Sequence, residues 1–373
     1  MQFTAGDELS SAEFIHDRTD ESLYLRQKIA VGILGATGSV GQRLVQLLER
    51  HPWFTLVSVA ASDKSVGKSY KEATNWMQSS LMPQQTAILQ VVSCEPNLPC
   101  KIVFSALSSS VAGPIEEEFA KKGYVVISMA KNHRMDENVP MVIPEVNSSH
   151  LPMLKRQKFS QTGMIITKPN CSVIGLALAL RPLQLEFGID AVHVVTMQSA
   201  SGAGYPGVPS LQLLDNVIPY IDDEEEKLET ELLKLFGTCR DTHLEPYPMK
   251  ISANCNRVPV TEGHLEVVSV QLKKKATEEE IKRAWREFES PIQGMRLPTS
   301  PAQTLYYFDE KEFPQPKLHR ELEKGMAVSI GRLRRCSLLD YKFVCLSHNT
   351  IRGAAGGALL IAELLVKEGY IFW

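Results

Sequence analysis

Cys171 stands in Thr167-Lys168-Pro169-Asn170-Cys171-Ser172-Val173-Ile174-Gly175, after an apolar run over 164–167 that reads as a strand and before a Leu- and Ala-rich helical pattern over 173–187. A thiol at a helix start faces unpaired N–H groups and the positive end of the helix dipole, which favours the thiolate. The thiolate is the nucleophilic form. On position alone this reading competes with that of a small, buried, apolar cysteine. A nucleophile also needs a proton carrier, and its substrate needs a binding group. Arg257-Val258-Pro259-Val260-Thr261-Glu262-Gly263-His264 offers both within eight residues. If this segment is extended with a turn near Glu262-Gly263, the guanidinium and the imidazole can face one cavity; singly, they fit a surface charge and a satisfied strand histidine. Gln198 leads into the glycine-dense Ser199-Ala200-Ser201-Gly202-Ala203-Gly204-Tyr205-Pro206-Gly207, where backbone donors can approach a ligand. Glu224 and Lys227 share one face of an acidic helix, a pairing that solvated helices also show.

A second constellation concerns a cofactor. A short buried-type strand over 28–34 runs into Gly35-Ala36-Thr37-Gly38-Ser39-Val40-Gly41, and a helical pattern follows over 40–50. Glycines in such a turn let the backbone approach a pyrophosphate seated on the helix N-terminus, so Gly35, Thr37, Gly38, Ser39, Val40 and Gly41 are its candidate contacts. The spacing is GxxGxxG, weaker than GxGxxG, and strand and helix context carry the reading. After the second strand, Ser62, Lys64 and Ser65 suit a 2′-phosphate and favour NADP, while Asp63 is the competing signal for a ribose 2′-OH.

The elements that must position these groups fall into two textures. Up to Cys171, strand-like runs over 55–60, 87–92, 102–105 and 124–127, with a helix over 115–122, alternate as in a parallel sheet covered on both faces. Beyond it, strands over 191–197, 264–272, 327–333 and 342–346 alternate in places with period two, between helices over 222–236 and 278–288. That pattern predicts an α+β unit with a mixed sheet. A small-residue-rich helix over 350–368 closes the chain. The expected class is α/β: a polar extension (1–27), a Rossmann-like dinucleotide-binding domain (28–170, completed by a C-terminal helix over 350–373), and a catalytic domain (171–349).

At 373 residues the chain has room for two domains. Its 44% hydrophobic and 22% charged residues are ordinary for a globular protein, and a net charge of -3 argues against a nucleic-acid partner. Seven cysteines without a CxxC pair, and an acidic first segment without a signal-peptide pattern, fit the cytoplasm. No apolar run is long enough for a membrane span, and no metal site is expected.

Together, Gly35-Ala36-Thr37-Gly38-Ser39-Val40-Gly41, Pro169-Asn170-Cys171-Ser172, Gln198-Ser199-Ala200-Ser201-Gly202-Ala203-Gly204, Asn256-Arg257-Val258-Pro259-Val260 with Gly263-His264, and Ser347-His348-Asn349-Thr350-Ile351-Arg352-Gly353-Ala354 resemble the aspartate-semialdehyde dehydrogenases. They occur in that family's order from about Lys28 to the C-terminus. The archaeal and fungal branch, which pairs Pro-Asn-Cys with a Glu-Glu-Glu-Lys helix, is the type resembled. The resemblance implies Cys171 as acyl-forming nucleophile, His264 as acid/base and Gln198 as positioner of the acyl group. It implies Arg257 on the substrate α-carboxylate, Glu224 on its ammonium, Lys227, Arg134 and Asn132 on phosphate, and Asn349 on the nicotinamide carboxamide. It also implies NADP, a dimerisation role for the second domain in a homodimer or homotetramer, and a place in lysine, methionine and threonine biosynthesis. Two positions depart from the family: Met129 where Asn is common, and Lys64 where Arg is common. Rival readings are a related acyl-phosphate or acyl-CoA reductase, acting on N-acetylglutamyl phosphate or malonyl-CoA, and a non-catalytic NADP-binding protein.

Overall fold

The computed structural model describes residues 28–372, and the polar extension 1–27 lies outside the described residues. Six short strands form the first sheet: β1 (Ile29–Leu34), β2 (Phe54–Ala60), β3 (Val91–Val92), β4 (Ile102–Ser105), β5 (Val125–Ser128) and β6 (Met164–Thr167). Their order is β3-β2-β1-β4-β5-β6, and every pairing is parallel. β4 and β5 are apolar but for a terminal Ser and are buried throughout, as a sheet covered on both faces requires. The order reverses at β1, which opens a crevice beyond its carboxyl end. There the chain enters the Gly35–Gly41 turn and then α1 (Ser39–Leu48).

Two expectations for this half need correction. Residues 87–92 are not one strand: Pro83 starts a helical turn, Gln84–Ala87, and only Val91 and Val92 pair with β2. Pro at a helix start is compatible with its fixed φ and missing N–H. The helix expected over 115–122 is α2 (Ser109–Lys121), which starts earlier and carries Pro114 at the loss of one backbone bond.

The second sheet comprises β7 (Ile189–Gln198), β8 (Lys250–Arg257), β9 (His264–Leu272), β10 (Leu305–Phe308), β11 (Val328–Arg335) and β12 (Tyr341–Ser347), in the order β8-β7-β9-β12-β11-β10. Parallel pairs lie at its two edges and antiparallel pairs between them, so the sheet is mixed. Along β9 every second residue is buried, from His264 through Glu266 and Val268 to Leu272, and this period sets which side chains face the core. That core also receives α3 (Cys171–Glu186), α4 (Glu224–Leu235) and α5 (Glu278–Arg286). α3 is apolar nearly all round and buried along most of its length, as befits a central helix.

The last helical pattern is not uniform. Ile351–Ala355 forms a π-helical turn, and α6 (Gly356–Lys367) follows and packs into the core of the first sheet. Buried Arg352, inside the π turn, makes a bidentate pair with Glu145 at 2.6 Å on both oxygens. No helix among the described residues is long and apolar enough to cross a membrane.

Candidate active site

Strand register gathers the chemistry at one end of the second sheet. Arg257, last in β8, pairs with Gln198, last in β7. On the other side of β7, Leu265 opposes Met197, so His264, first in β9, falls beside Gln198. Arg257 and His264 therefore do not form a hairpin: β7 lies between them, and the chain joining them passes over its end. Ala200 and Ser201 tie that crossing down by donating their N–H groups to the carbonyls of Val260 and Thr261. The turn into β9 needs Gly263, whose φ is 98°.

Cys171 comes to these strand ends as the first residue of α3. Asn170 caps the helix, its side-chain oxygen accepting the Ser172 N–H at 2.9 Å. Cys171 Sγ lies 3.2 Å from His264 Nε2. At the far side of the ring, Nδ1 is 3.1 Å from the Ser199 N–H and 3.2 Å from Ser199 Oγ. Ser199 thus offers a donor to one imidazole tautomer and an acceptor to the other, which leaves Nε2 able to give or take a proton. Two glycines make room: a Cβ on Gly202 would meet Arg257 Nη1 at 2.7 Å and His264 Cε1 at 3.1 Å, and one on Gly353 would meet Cys171 Cβ at 2.7 Å.

The expected resting thiolate is corrected by the structure. Burial, reinforced by Glu224, pushes the Cys171 thiol up to about 11 despite Lys168, Arg134 and Arg257. Burial likewise pushes His264 down to about 3. A helix terminus offers about 0.3–1 kcal/mol to a nearby charge, too little against the loss of solvation. At these values both groups are neutral at pH 7.

Around this pair the charges are organised. Glu224, at the start of α4, accepts Asn170 Nδ2 at 2.9 and 3.0 Å, Gln198 Nε2 at 3.1 Å and Lys227 Nζ at 2.9 Å. Burial pushes its carboxyl up, but Lys227 and the two amides outweigh this and leave it below the usual range. Arg134 pairs with buried Glu231 at 2.7 Å, and Glu231 also accepts the Asn170 N–H. Arg257 is buried and donates to the Ser199 carbonyl at 2.8 Å. Asn132 is exposed and donates instead to the carbonyl of Ser109, the first residue of α2. Lys168 has no role in the sequence pattern, yet its side chain is buried, three positions before Cys171 and within electrostatic reach of the thiol. Its signal was a cationic residue at the end of an apolar strand. Ser199, also without an assigned role, gave no comparable signal.

The glycine loop fits a dinucleotide. Gly35 has φ 77°, and a Cβ on Gly41 would meet the Gly35 carbonyl oxygen at 2.4 Å, so neither position tolerates a side chain in this tight turn. Thr37, Gly38, Ser39 and Val40 complete the approach to the α1 N-terminus. Ser62 and Lys64 are exposed and Ser65 half-buried in the turn after β2, with exposed Asp63 between them. Asn349 accepts the Gly263 N–H at 2.9 Å and donates to Ser201 Oγ at 2.8 Å, which ties the turn into β9 to the loop after β7. Arg43 of α1 adds a link between the halves, pairing with Glu262 at 2.8 Å. Glu262 also accepts from Thr350 Oγ1 at 2.8 Å.

The family model for the semialdehyde dehydrogenase NAD binding domain matches residues 30–153, and that for the semialdehyde dehydrogenase dimerisation domain matches residues 180–352. Aspartate-semialdehyde dehydrogenase from Archaeoglobus fulgidus is 46% identical over 347 residues, covering 92% of this chain and 100% of its own. The Schizosaccharomyces pombe enzyme of the same name is 44% identical over 351 residues, covering 91% and 98%. Among solved structures, aspartate semialdehyde dehydrogenase with NADP from Candida albicans superposes with a TM-score of 0.86 at 41% identity, covering 92% of this chain and 100% of that one.

Proposed function

Because the chain belongs to the aspartate-semialdehyde dehydrogenase family, we propose that Cys171 is its acyl-forming nucleophile and His264 the acid/base beside it. The enzyme carries out the reversible, NADP-dependent reductive dephosphorylation of L-aspartyl-4-phosphate to L-aspartate 4-semialdehyde, a step of aspartate-derived amino-acid biosynthesis. The 3.2 Å contact between Cys171 Sγ and His264 Nε2 is the observation that supports the two roles most directly.

In the oxidative direction, sulfur bonds to the aldehyde carbon as its proton passes toward His264 Nε2, and Ser199 satisfies Nδ1 in either tautomer. NADP, when bound, accepts the hydride in this direction and supplies it in the other. Loss of hydride leaves a thioester on Cys171; His264 gives up the thiol proton to solvent, and phosphate then cleaves the thioester to aspartyl phosphate, its own proton restoring the thiol. Splitting the transfer through a covalent intermediate replaces one high barrier by two lower ones. Gln198, whose amide donates to Glu224 at 3.1 Å, would position the acyl carbonyl. Arg257 presents a guanidinium fork suited to the α-carboxylate. Glu224 suits the substrate ammonium, with Lys227, Arg134 and Asn132 assigned to phosphate.

The backbone from Gly35 to Gly41 would hold the cofactor pyrophosphate, with Ser62, Lys64 and Ser65 at the 2′-phosphate and Asn349 toward the carboxamide. The reading divides the chain at residue 170 into a cofactor domain and a catalytic and dimerisation domain, with the last helix returned to the first; packing of α6 into the core of the first sheet supports that return. A homodimer or homotetramer built through the second domain, located in the cytoplasm, completes the reading. The full-length relatives do not favour the two rival reductases or a non-catalytic role.

The test is phosphate-dependent NADP+ reduction with aspartate semialdehyde, compared with the reverse reaction on N-acetylglutamyl phosphate and malonyl-CoA. Cys171→Ala should abolish turnover while the fold persists; turnover near wild type would remove the nucleophile assignment.

A further inference from the structure

Four cationic side chains, Lys168, Arg134, Lys227 and Arg257, act on Cys171 or the carboxylates beside it. Two are already neutralised: Arg134 by Glu231 at 2.7 Å and Lys227 by Glu224 at 2.9 Å. Four cations against two carboxylates leave two positive charges in surplus. An aspartyl phosphate brings an ammonium, a carboxylate and a phosphate close to dianionic at neutral pH, so the same surplus appears with opposite sign. Arg257 suits the carboxylate, which leaves Lys168.

Lys168 has no carboxylate partner among the described residues and is only 3% exposed. Its Nζ donates to the Pro169 carbonyl at 2.6 Å, using one of three N–H bonds. Burying an ammonium this incompletely satisfied is costly unless an anion joins it. Burial, with Arg134, brings it down to about 7, and Cys171, Glu231 and Glu224 offset only part of that; an arriving phosphate stabilises its charged form.

We propose that Lys168 is a further phosphate-binding cation of this site, acting beside Lys227, Arg134 and Asn132, to which the family resemblance gives the phosphate. The inference rests on the thioester reaction above. In the phosphorolysis step a phosphate oxygen bonds to the thioester carbonyl carbon, the C–S bond breaks with its electron pair on sulfur, and the phosphate proton reaches sulfur by way of His264. Lys168 holds the dianion for that attack and stabilises the same dianion as leaving group in reverse.

The experiment separates acylation from phosphorolysis. Without phosphate, wild-type enzyme mixed with aspartate semialdehyde and NADP+ gives a single-turnover burst of NADPH; with phosphate it turns over. Lys168→Met should still give a burst of full amplitude, slowed by loss of a cation near the thiol, and should raise the phosphate KM by about tenfold or more, the loss of one charge-assisted contact, with a much smaller change in the semialdehyde KM. Lys168→Arg should recover most of the phosphate affinity. An unchanged phosphate KM in Lys168→Met, or a lost burst with phosphate KM intact, overturns the proposal. If Lys168→Met does not fold, Lys168→Gln, which can still donate to Pro169, is read by the same two criteria. Absence of a burst in the wild type would count against the thioester reading itself.

Discussion

Cys171 Sγ and His264 Nε2 stand 3.2 Å apart, and burial holds both groups neutral at pH 7. The pair is poised rather than ionised. Alkylation by iodoacetamide follows the thiolate population, so peptide-mapped labelling at Cys171 should climb about tenfold per pH unit between pH 7 and 10, toward its value of about 11. Cys336 is the internal contrast: the backbone N–H groups of Leu339 and Leu338 lower it, and it should label faster at pH 7. A labelling rate at Cys171 that is already level at pH 7 would contradict this account.

Arg257 and Gly202 make a linked prediction. Arg257→Leu should raise the semialdehyde KM by roughly tenfold or more, ~1.4 kcal/mol, with the NADP+ KM little changed. In Gly202→Ala the new methyl meets the movable tip of Arg257 at 2.7 Å. The tip can yield, so the fold should survive while the semialdehyde KM rises in the same direction. Equal rises in both KM values would assign Arg257 to structure.

Much of this site was legible because it is local. The glycine turn and the cysteine at a helix start are runs of neighbours, and apolar periodicity marked most strands. The rest depends on tertiary placement. Nothing in the sequence near Arg257 and His264 says that β7 lies between them, and that insertion brings Gln198 into the same row. The charge of Arg134, in a turn, is cancelled by Glu231, which α4 delivers. The burial of Lys168 depends on what covers the strand end. Local reasoning also erred on the thiol, because a helix dipole is visible in sequence and desolvation is not.

Two residues along β9 from His264, Glu266 lies opposite Cys345 and accepts its S–H at 3.4 Å. Burial pushes this carboxyl up to about 8. A carboxyl raised on folding contributes stability that is complete below about 4.5 and is lost as pH rises to about 8. Glu266→Gln stays neutral throughout. Urea unfolding should therefore show wild type losing stability relative to Glu266→Gln between these values, by up to ~1.4 kcal/mol per pH unit. A difference independent of pH would show that Glu266 does not carry this proton.

The central claim is a transient thioester on Cys171. Mass spectrometry of enzyme quenched in acid after mixing with aspartate semialdehyde and NADP+, without phosphate, tests it most directly. The account predicts one aspartyl group per chain, mapped to the peptide bearing Cys171, formed together with NADPH and discharged on adding phosphate; Cys171→Ala should yield neither. NADPH formation without an adduct at Cys171, or an adduct that phosphate does not discharge, would contradict it.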